Sequence, residues 1–314
     1  MNKVRLGLTS LMVSPLCMGT LTVGPTQKNL PLREAADLMI RAYELGINFF
    51  DSAEIYGTYP ILGLALQTYP EMIVTGKSYA VTAEEMRCSI EKARKELNRD
   101  YIDIFCLHEV ENSAALKGHR GALEYLYEAR QRGIIRAVGI STHTVAGVRA
   151  GANEPGIDVI HPLINRAGIG IKDGTVEEMI AAIQTAREFG KGIYAMKVLG
   201  GGHLYREAVE SVRFIRQLGI VDSMAIGMQS EAEIRFNRML VEGKTPPPEL
   251  MEEVAGTPRA LRIEDWCCGC GRCVERCGFD ALRLENGVVT VDRDRCMMCG
   301  YCARVCPEFC LKIV

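Results

Sequence analysis

The sequence has no surplus of either charge: 37 Lys and Arg stand against 39 Asp and Glu, a formal net charge of −2. Without a basic field there is little to hold nucleic acid or an anionic membrane surface, so neither is expected as a partner. Long apolar runs are also missing, and none approaches the roughly 18 residues of a membrane span. The opening MNKVRLGLTSLMVSPLCMG starts basic and apolar, but Gly7, Thr9, Ser10 and Pro15 interrupt it before a signal-peptide core forms. The expected compartment is therefore the cytoplasm, where thiols stay reduced and disulfides are not the default use of cysteine.

Cysteine is what the chain has in excess. Ten of its 13 cysteines lie beyond residue 266. Eight of them form two copies of one spacing: Cys267, Cys270, Cys273, Cys277, then Cys296, Cys299, Cys302, Cys306. Asp265, Gly271 and Leu282 recur at the same offset as Asp294, Gly300 and Leu311, which marks an internal duplication. Zinc is satisfied by two cysteine pairs across a longer loop, whereas three cysteines at successive three-residue steps wrap three corners of a cube. The run resembles that of two-cluster bacterial ferredoxins, in which the fourth cysteine of each motif ligates the other cluster. That assigns Cys267, Cys270, Cys273 and Cys306 to one 4Fe-4S cluster, and Cys296, Cys299, Cys302 and Cys277 to a second. Asn286-Gly287 signals a hairpin turn between them. One departure is Gly278, where a proline usually follows the motif, as Pro307 does after Cys306. Cys17, Cys88, Cys106, Cys268 and Cys310 read as small buried apolar residues, and Trp266 as packing beside a cluster.

The first 241 residues alternate apolar runs with amphipathic stretches: VSPLCMG (13–19), INFF (47–50), MIVT (72–75), IDIFCL (102–107), IIRAVGI (134–140), IDVIHPLI (157–164), GIYAMKVL (192–199) and SMAIGM (223–228). Such runs predict buried parallel strands. Thr82 with Glu85, and Thr175 with Glu178, predict capping boxes, while Gly133, Gly190 and Gly219 sit where helices should stop. Eight strand-helix units in about 240 residues predict an α/β fold, a (β/α)8 TIM barrel. A doubly wound sheet has the same alternation. The barrel is preferred because Asp51, Lys77, His108, Asn165 and Lys197 fall at or near the carboxyl ends of different runs, which a barrel gathers around one mouth. Residues 242–257, rich in proline and mixed charge, read as a linker or packing arm, and 258–314 as a small α+β ferredoxin-like unit.

FFDSAEIYG (49–57), Lys77 in IVTGKS and His108 in YIDIFCLH resemble the catalytic tetrad region of the aldo/keto reductases. GISTH (139–143) and IHPLIN (160–165) resemble the next two strand ends of that superfamily, and IGMQSEAEIRFN (226–237) its cofactor segment. The resemblance implies a nicotinamide-dependent oxidoreductase acting on a small carbonyl or alcohol, with Tyr56 as general acid. Lys77, held by Asp51, would lower the Tyr56 pKa, and His108 would orient the carbonyl. It further implies cofactor contacts from Ser141, Asn165, Met196, Lys197, Gly227, Ser230 and Asn237. Ser230 and Glu233 predict a capping box whose helix N-terminus suits a phosphate. Gln229 and Glu233 stand where an arginine for the extra phosphate of NADPH is common, which leaves NADH against NADPH open. The triple glycine 200–202 predicts close backbone approach to cofactor or substrate. His119, His143 and His203 read as surface or loop residues, and His161 as strand packing.

Hydride transfer moves two electrons, a 4Fe-4S cluster one, and no flavin motif is present to split the pair, although a barrel mouth can bind flavin without one. Three readings follow: hydride chemistry coupled to the clusters and an external electron carrier; nicotinamide-independent reduction fed by single electrons; or hydride chemistry beside clusters that serve structure, docking or oxygen sensing.

Overall fold

The computed structural model describes residues 1–314. Eight parallel strands close into a barrel: β1 (Leu16–Gly19), β2 (Phe49–Asp51), β3 (Ile73–Ser78), β4 (Ile102–Leu107), β5 (Ile135–Thr142), β6 (Val159–Pro162), β7 (Gly192–Ala195) and β8 (Ser223–Gly227). Closure comes from β8 pairing with β1, Met224 opposite Leu16 and Gly227 opposite Gly19. Each strand overlaps a predicted apolar run. These runs are continuous rather than alternating because both strand faces are buried. Phe49, Ile73, Ile104, Cys106, Val159 and Tyr194 fill the interior, and Leu6, Leu11 and Val13 of an N-terminal hairpin (Val4–Arg5 with Met12–Val13) seal its floor. A 60-residue apolar cluster joins the outward faces to the surrounding helices.

The helix ends follow their sequence signals. Thr82 and Thr175 make complete capping boxes with Glu85 and Glu178. Gly133, Gly190 and Gly219 take φ of 72°, 79° and 64° just where helices end, a conformation that costs glycine little. After the last barrel helix (Glu231–Val241), the proline-rich stretch yields a further helix, Pro248–Ala255, whose Leu250 is buried in the main core.

The C-terminal residues form two small antiparallel sheets. β9 (Leu261–Ile263) pairs with β12 (Leu311–Ile313), and β10 (Leu282–Glu285) with β11 (Val288–Val291). Asn286 and Gly287 both have positive φ, as the predicted two-residue turn requires. Gly271 and Gly300 take φ of 75° and 76° before matching short helices, Arg272–Arg276 and Tyr301–Arg304, so the duplication seen in sequence is a duplication of backbone.

Strand β12 lies against the barrel. Gly202 has φ of 90°, and a Cβ there would stand 1.9 Å from the Ile313 carbonyl oxygen. A Cβ on Gly201 would meet Phe309 and Lys312. The triple glycine therefore serves a close backbone approach, but to the chain's own C-terminal strand. Leu163, Ile169, Met196 and Leu204 from the barrel join Ala303 and Phe309 in one apolar seam.

Candidate active site

Asp51 ends β2 and Lys77 lies one residue before the end of β3, so neighbouring strands deliver both to the mouth. The Lys77 ammonium donates to Asp51 Oδ1 at 2.6 Å and to the Ser52 carbonyl at 2.7 Å. Both residues are buried, and an ion pair out of water holds only with such added hydrogen bonds. Tyr194 donates to the same Asp51 oxygen at 3.1 Å, and His161 Nε2 stands 3.7 Å from it. His161 also stacks on Tyr194 with ring centres 3.7 Å apart, and it lines the cavity. It belongs to the site rather than to strand packing alone. Its place near the carboxyl end of β6 was the available signal.

Tyr56 follows β2 on a short turn, its ring centre 5.1 Å from Lys77 Nζ. His108, the first residue after β4, meets the Tyr56 ring edge-on at 5.9 Å and is stacked by Tyr79 at 4.4 Å. Burial pushes the Tyr56 phenol well above its usual pKa, helped by the Asp51 and Glu109 carboxylates. This differs from the expected lowering by Lys77. In the resting site burial outweighs the nearby Lys77 charge, and the hydroxyl keeps its proton. Burial, followed by the Lys77 charge, pushes the His108 imidazole well below its usual range. His108 is thus neutral, and its Nδ1 is buried without a hydrogen-bond partner.

Asp51, Tyr56 and His161 open onto a cavity of about 190 Å³ lined further by Met196, Lys197, Gly19, Gly227, Gln229, Glu233 and Asn237. Four of the seven predicted cofactor residues line it: Met196, Lys197, Gly227 and Asn237. Three do not. Ser141 Oγ accepts from the Glu109 N–H, and Asn165 spends its amide on Ala167 and Ile169 of its own loop. Ser230 caps its helix by accepting from the Glu233 N–H. The expected reciprocal half of that box is absent, because the Glu233 carboxylate accepts from Gln229 N and pairs with Arg259 at 2.8 Å. Arg259 comes from the segment after the barrel, which is why reading the barrel motif alone left Glu233 unbalanced. Met196 is held in the apolar seam beside Phe309.

Lys312, Ile313 and Val314 form one wall of this cavity, so the mouth is built by both ends of the chain. His203 is buried, its Nε2 2.9 Å from the Leu311 carbonyl, and His143 lies edge-on to Phe309 and 3.6 Å from Glu109. Both lie in loops, as expected, but neither is on the surface. Their partners lie in the last six residues or in a neighbouring strand loop, out of reach of local pattern.

Cys277, Cys296, Cys299 and Cys302 line a second, small cavity. These are the four cysteines that the crossed ferredoxin pattern assigns to one cluster. Burial and then the neighbouring thiols Cys299, Cys273 and Cys296 push Cys302 up to about 12. Burial, Cys306 and Cys267 push Cys273 up to about 11. Such crowding is costly until a cationic group neutralises it. In the first set Cys306 is pulled down by hydrogen bonding from Cys310, whose sulfur is 3.4 Å away, leaving it ready to ligate. All eight cysteines of the two runs are thiols, the donor type that 4Fe-4S clusters take. Cys17, Cys106 and Cys310 are buried as expected, but Cys88 and Cys268 are exposed. Trp266 is exposed as well, its Nε1 donating to the Glu308 carbonyl.

The model of the aldo/keto reductase family matches residues 15–234, and that of the 4Fe-4S dicluster domain matches 259–307. An aldo-keto reductase of Glycine max is 26% identical over 253 residues, 74% of this chain and 66% of that protein. L-galactose dehydrogenase of Arabidopsis thaliana is 26% identical over 227 residues, 65% of this chain and 68% of that protein. The chain thus spans about two thirds of the length of these relatives. A crystallised aldo-keto reductase from Pseudomonas aeruginosa superimposes with a TM-score of 0.66 at 26% identity, over 77% of this chain and 95% of its own. The C-terminal part is similar to a ferredoxin of Methanocaldococcus jannaschii, 35% identical over 63 residues, 18% of this chain and 42% of that one. Barrel, strand-end residues and family match agree: the chain belongs to the aldo/keto reductase family of oxidoreductases and carries a 4Fe-4S ferredoxin-like domain after its barrel.

Proposed function

We propose that the barrel interconverts a small carbonyl compound and its alcohol with a nicotinamide cofactor, and that the site exchanges electrons with two 4Fe-4S clusters. The observation that carries this is the grouping of Asp51 and Tyr56 at one end of a cavity whose other end holds Gly227 and Asn237, with Lys77 against Asp51 and His108 against Tyr56 behind them. Bound in that cavity, the nicotinamide would supply a hydride, and each cluster a single electron. The chain's residues do the rest. Tyr56, held protonated, gives its proton to the carbonyl oxygen as negative charge develops there. Lys77 then faces a phenolate and stabilises it, while Asp51 keeps the lysine in place. Neutral His108 offers a ring N–H to the same oxygen without adding charge to the resting site. Met196, Gly227 and Asn237 flank the cofactor, and Arg259 balances Glu233 at the nucleotide end.

Cys267, Cys270, Cys273 and Cys306 would hold the cluster nearer the mouth, and Cys296, Cys299, Cys302 and Cys277 the other. Cys306 leads within three residues to Phe309 and then to Lys312 in the cavity wall, a short covalent route between cluster and site. The test is anaerobic titration of the cluster-loaded protein with NADH and with NADPH, followed by addition of 4-nitrobenzaldehyde. Aldehyde reduction in the wild type and its loss in Tyr56→Phe support the barrel chemistry, and bleaching of cluster absorption before aldehyde is added supports coupling. Turnover from a low-potential one-electron donor, with no nucleotide binding, would move the assignment to single-electron reduction.

A further inference from the structure

The mouth holds lysines that its carboxylates do not balance. Three lysines of the chain are less than one-tenth exposed: Lys77, Lys191 and Lys312. Lys77 has Asp51, and Lys191 donates to the carbonyls of Glu154 and Ile157. Lys312 has no carboxylate. Its ammonium donates to the Phe309 carbonyl and stands 3.1 Å from the centre of the Phe309 ring. An ammonium has three donors, so capacity remains toward the cavity that Lys312 lines.

Lys197 lines the same cavity from the barrel side, its Nζ 5.8 Å from the same ring and without an ion pair. Its backbone φ is 57°, a left-handed conformation that is unfavourable for a lysine and is usually kept for a purpose. The carboxylates whose fields reach these lysines are Glu109, Glu264 and, at Lys197, Asp51. Glu264 pairs with the Arg262 guanidinium at 3.2 Å and Asp51 with Lys77 at 2.6 Å, while Glu109 lies 3.6 Å from the His143 ring, so none is in an ion pair with Lys197 or Lys312. Burial lowers the pKa of both lysines, and the Lys197 charge lowers that of Lys312 further. Two ammoniums over one ring, neither in an ion pair, are expensive unless an anion joins them.

We propose that Lys197 and Lys312 form a clamp for the carboxylate of the substrate, one jaw on the barrel and the other on the C-terminal strand. The substrate class is then a small oxo acid or the corresponding hydroxy acid, a refinement that rests on the carbonyl-reductase reading above. A substrate carboxylate suits the pair better than a nucleotide phosphate does. The Lys197 charge reaches His108, His143 and His161, on the Tyr56 side of the mouth, whereas Gly227, Asn237 and Arg259 mark the other arm of the cavity.

The test uses the full chain with both clusters loaded, under anaerobic conditions. Malonate, which has no reducible carbonyl, is titrated by calorimetry into wild type, Lys197→Met, Lys312→Met and Lys312→Arg. In parallel, kcat/KM is measured for 4-carboxybenzaldehyde and for neutral 4-methylbenzaldehyde. Wild type is expected to bind malonate and to prefer the carboxylated aldehyde by tenfold or more. Each methionine variant should lose malonate binding and bring that ratio toward one, while Lys312→Arg retains most of both. Unaltered cluster absorption in Lys312→Arg shows that the strand is still seated. Absence of malonate binding in wild type, or loss of nucleotide affinity alone in the methionine variants, overturns the clamp. Lysine-dependent malonate binding with neither aldehyde reduced leaves the clamp standing and removes the reductase reading. Equal reduction of both aldehydes does the reverse.

Discussion

The barrel and the C-terminal unit are held together by different means. The barrel joins 60 buried apolar residues in one cluster around its sheet, whereas the core of the C-terminal unit has eight buried members, three of them the cysteines Cys273, Cys302 and Cys310. A core that small cannot offset the entropy of ordering the chain around it. The comparison teaches that barrel stability comes from apolar burial, and that the C-terminal fold depends on what its thiols bind and on the seam with the barrel. The largest expected effect follows. Removing iron with a chelator under reducing conditions should abolish amide-exchange protection in β9 to β12 while β1 to β8 stay protected, measured by hydrogen-exchange mass spectrometry. Protection retained throughout the iron-free chain would end the comparison.

Tyr56→Phe should sharpen the contrast from the other side. One hydroxyl is lost at the mouth, so kcat for aldehyde reduction should fall about 10²- to 10⁴-fold, with cluster absorption and thermal midpoint unchanged. Gly202→Val strikes the seam. A side chain there collides with a backbone carbonyl rather than with a flexible group, and the φ of 90° disfavours valine independently. We expect a cost of about 1–3 kcal/mol, seen as faster proteolysis within residues 258–314 while the barrel melts near its original temperature.

How much of this was legible depended on how far apart in the chain the partners lie. All eight barrel strands could be read, because burial on both faces writes itself as a continuous apolar run. The ferredoxin-like pattern was legible because a duplicated spacing is a local signal. Asp51, Lys77 and His108 could be placed at strand ends that converge by topology, whereas Tyr56 was read from the resemblance of FFDSAEIYG to the aldo/keto reductases. The seam was not legible. Gly202 announced a close approach but could not name Ile313 as its partner, 111 positions on by residue number. Arg259 against Glu233, Lys312 opposite Lys197 and His203 on Leu311 are likewise tertiary pairings between segments with no shared pattern. Ser141 and Asn165 fell at the right strand ends, yet the loops use their polar atoms, which strand position alone does not reveal.

The smallest predicted effect is a pH dependence that probes whether the two regions unfold separately. His161 in the mouth and His203 in the seam both have their pKa lowered from 6.5 to about 4. Burial dominates in each. The Asp51 carboxylate opposes it at His161, as the hydrogen bond with the Leu311 carbonyl does at His203. Since the folded value lies below the unfolded one, the unfolded chain takes up a proton first as pH falls through 6.5. Stability is full above that value and is lost progressively down to about 4, at a slope of no more than about 1.4 kcal/mol per pH unit for each histidine. His161→Asn should flatten the acid branch of the barrel's thermal midpoint between pH 6.5 and 4. His203→Gln, which keeps a donor for Leu311, should flatten only the acid-induced rise in proteolysis of the C-terminal unit. If either substitution flattens both curves, the seam binds barrel and C-terminal unit into one cooperative unit, and their separate cores do not melt independently.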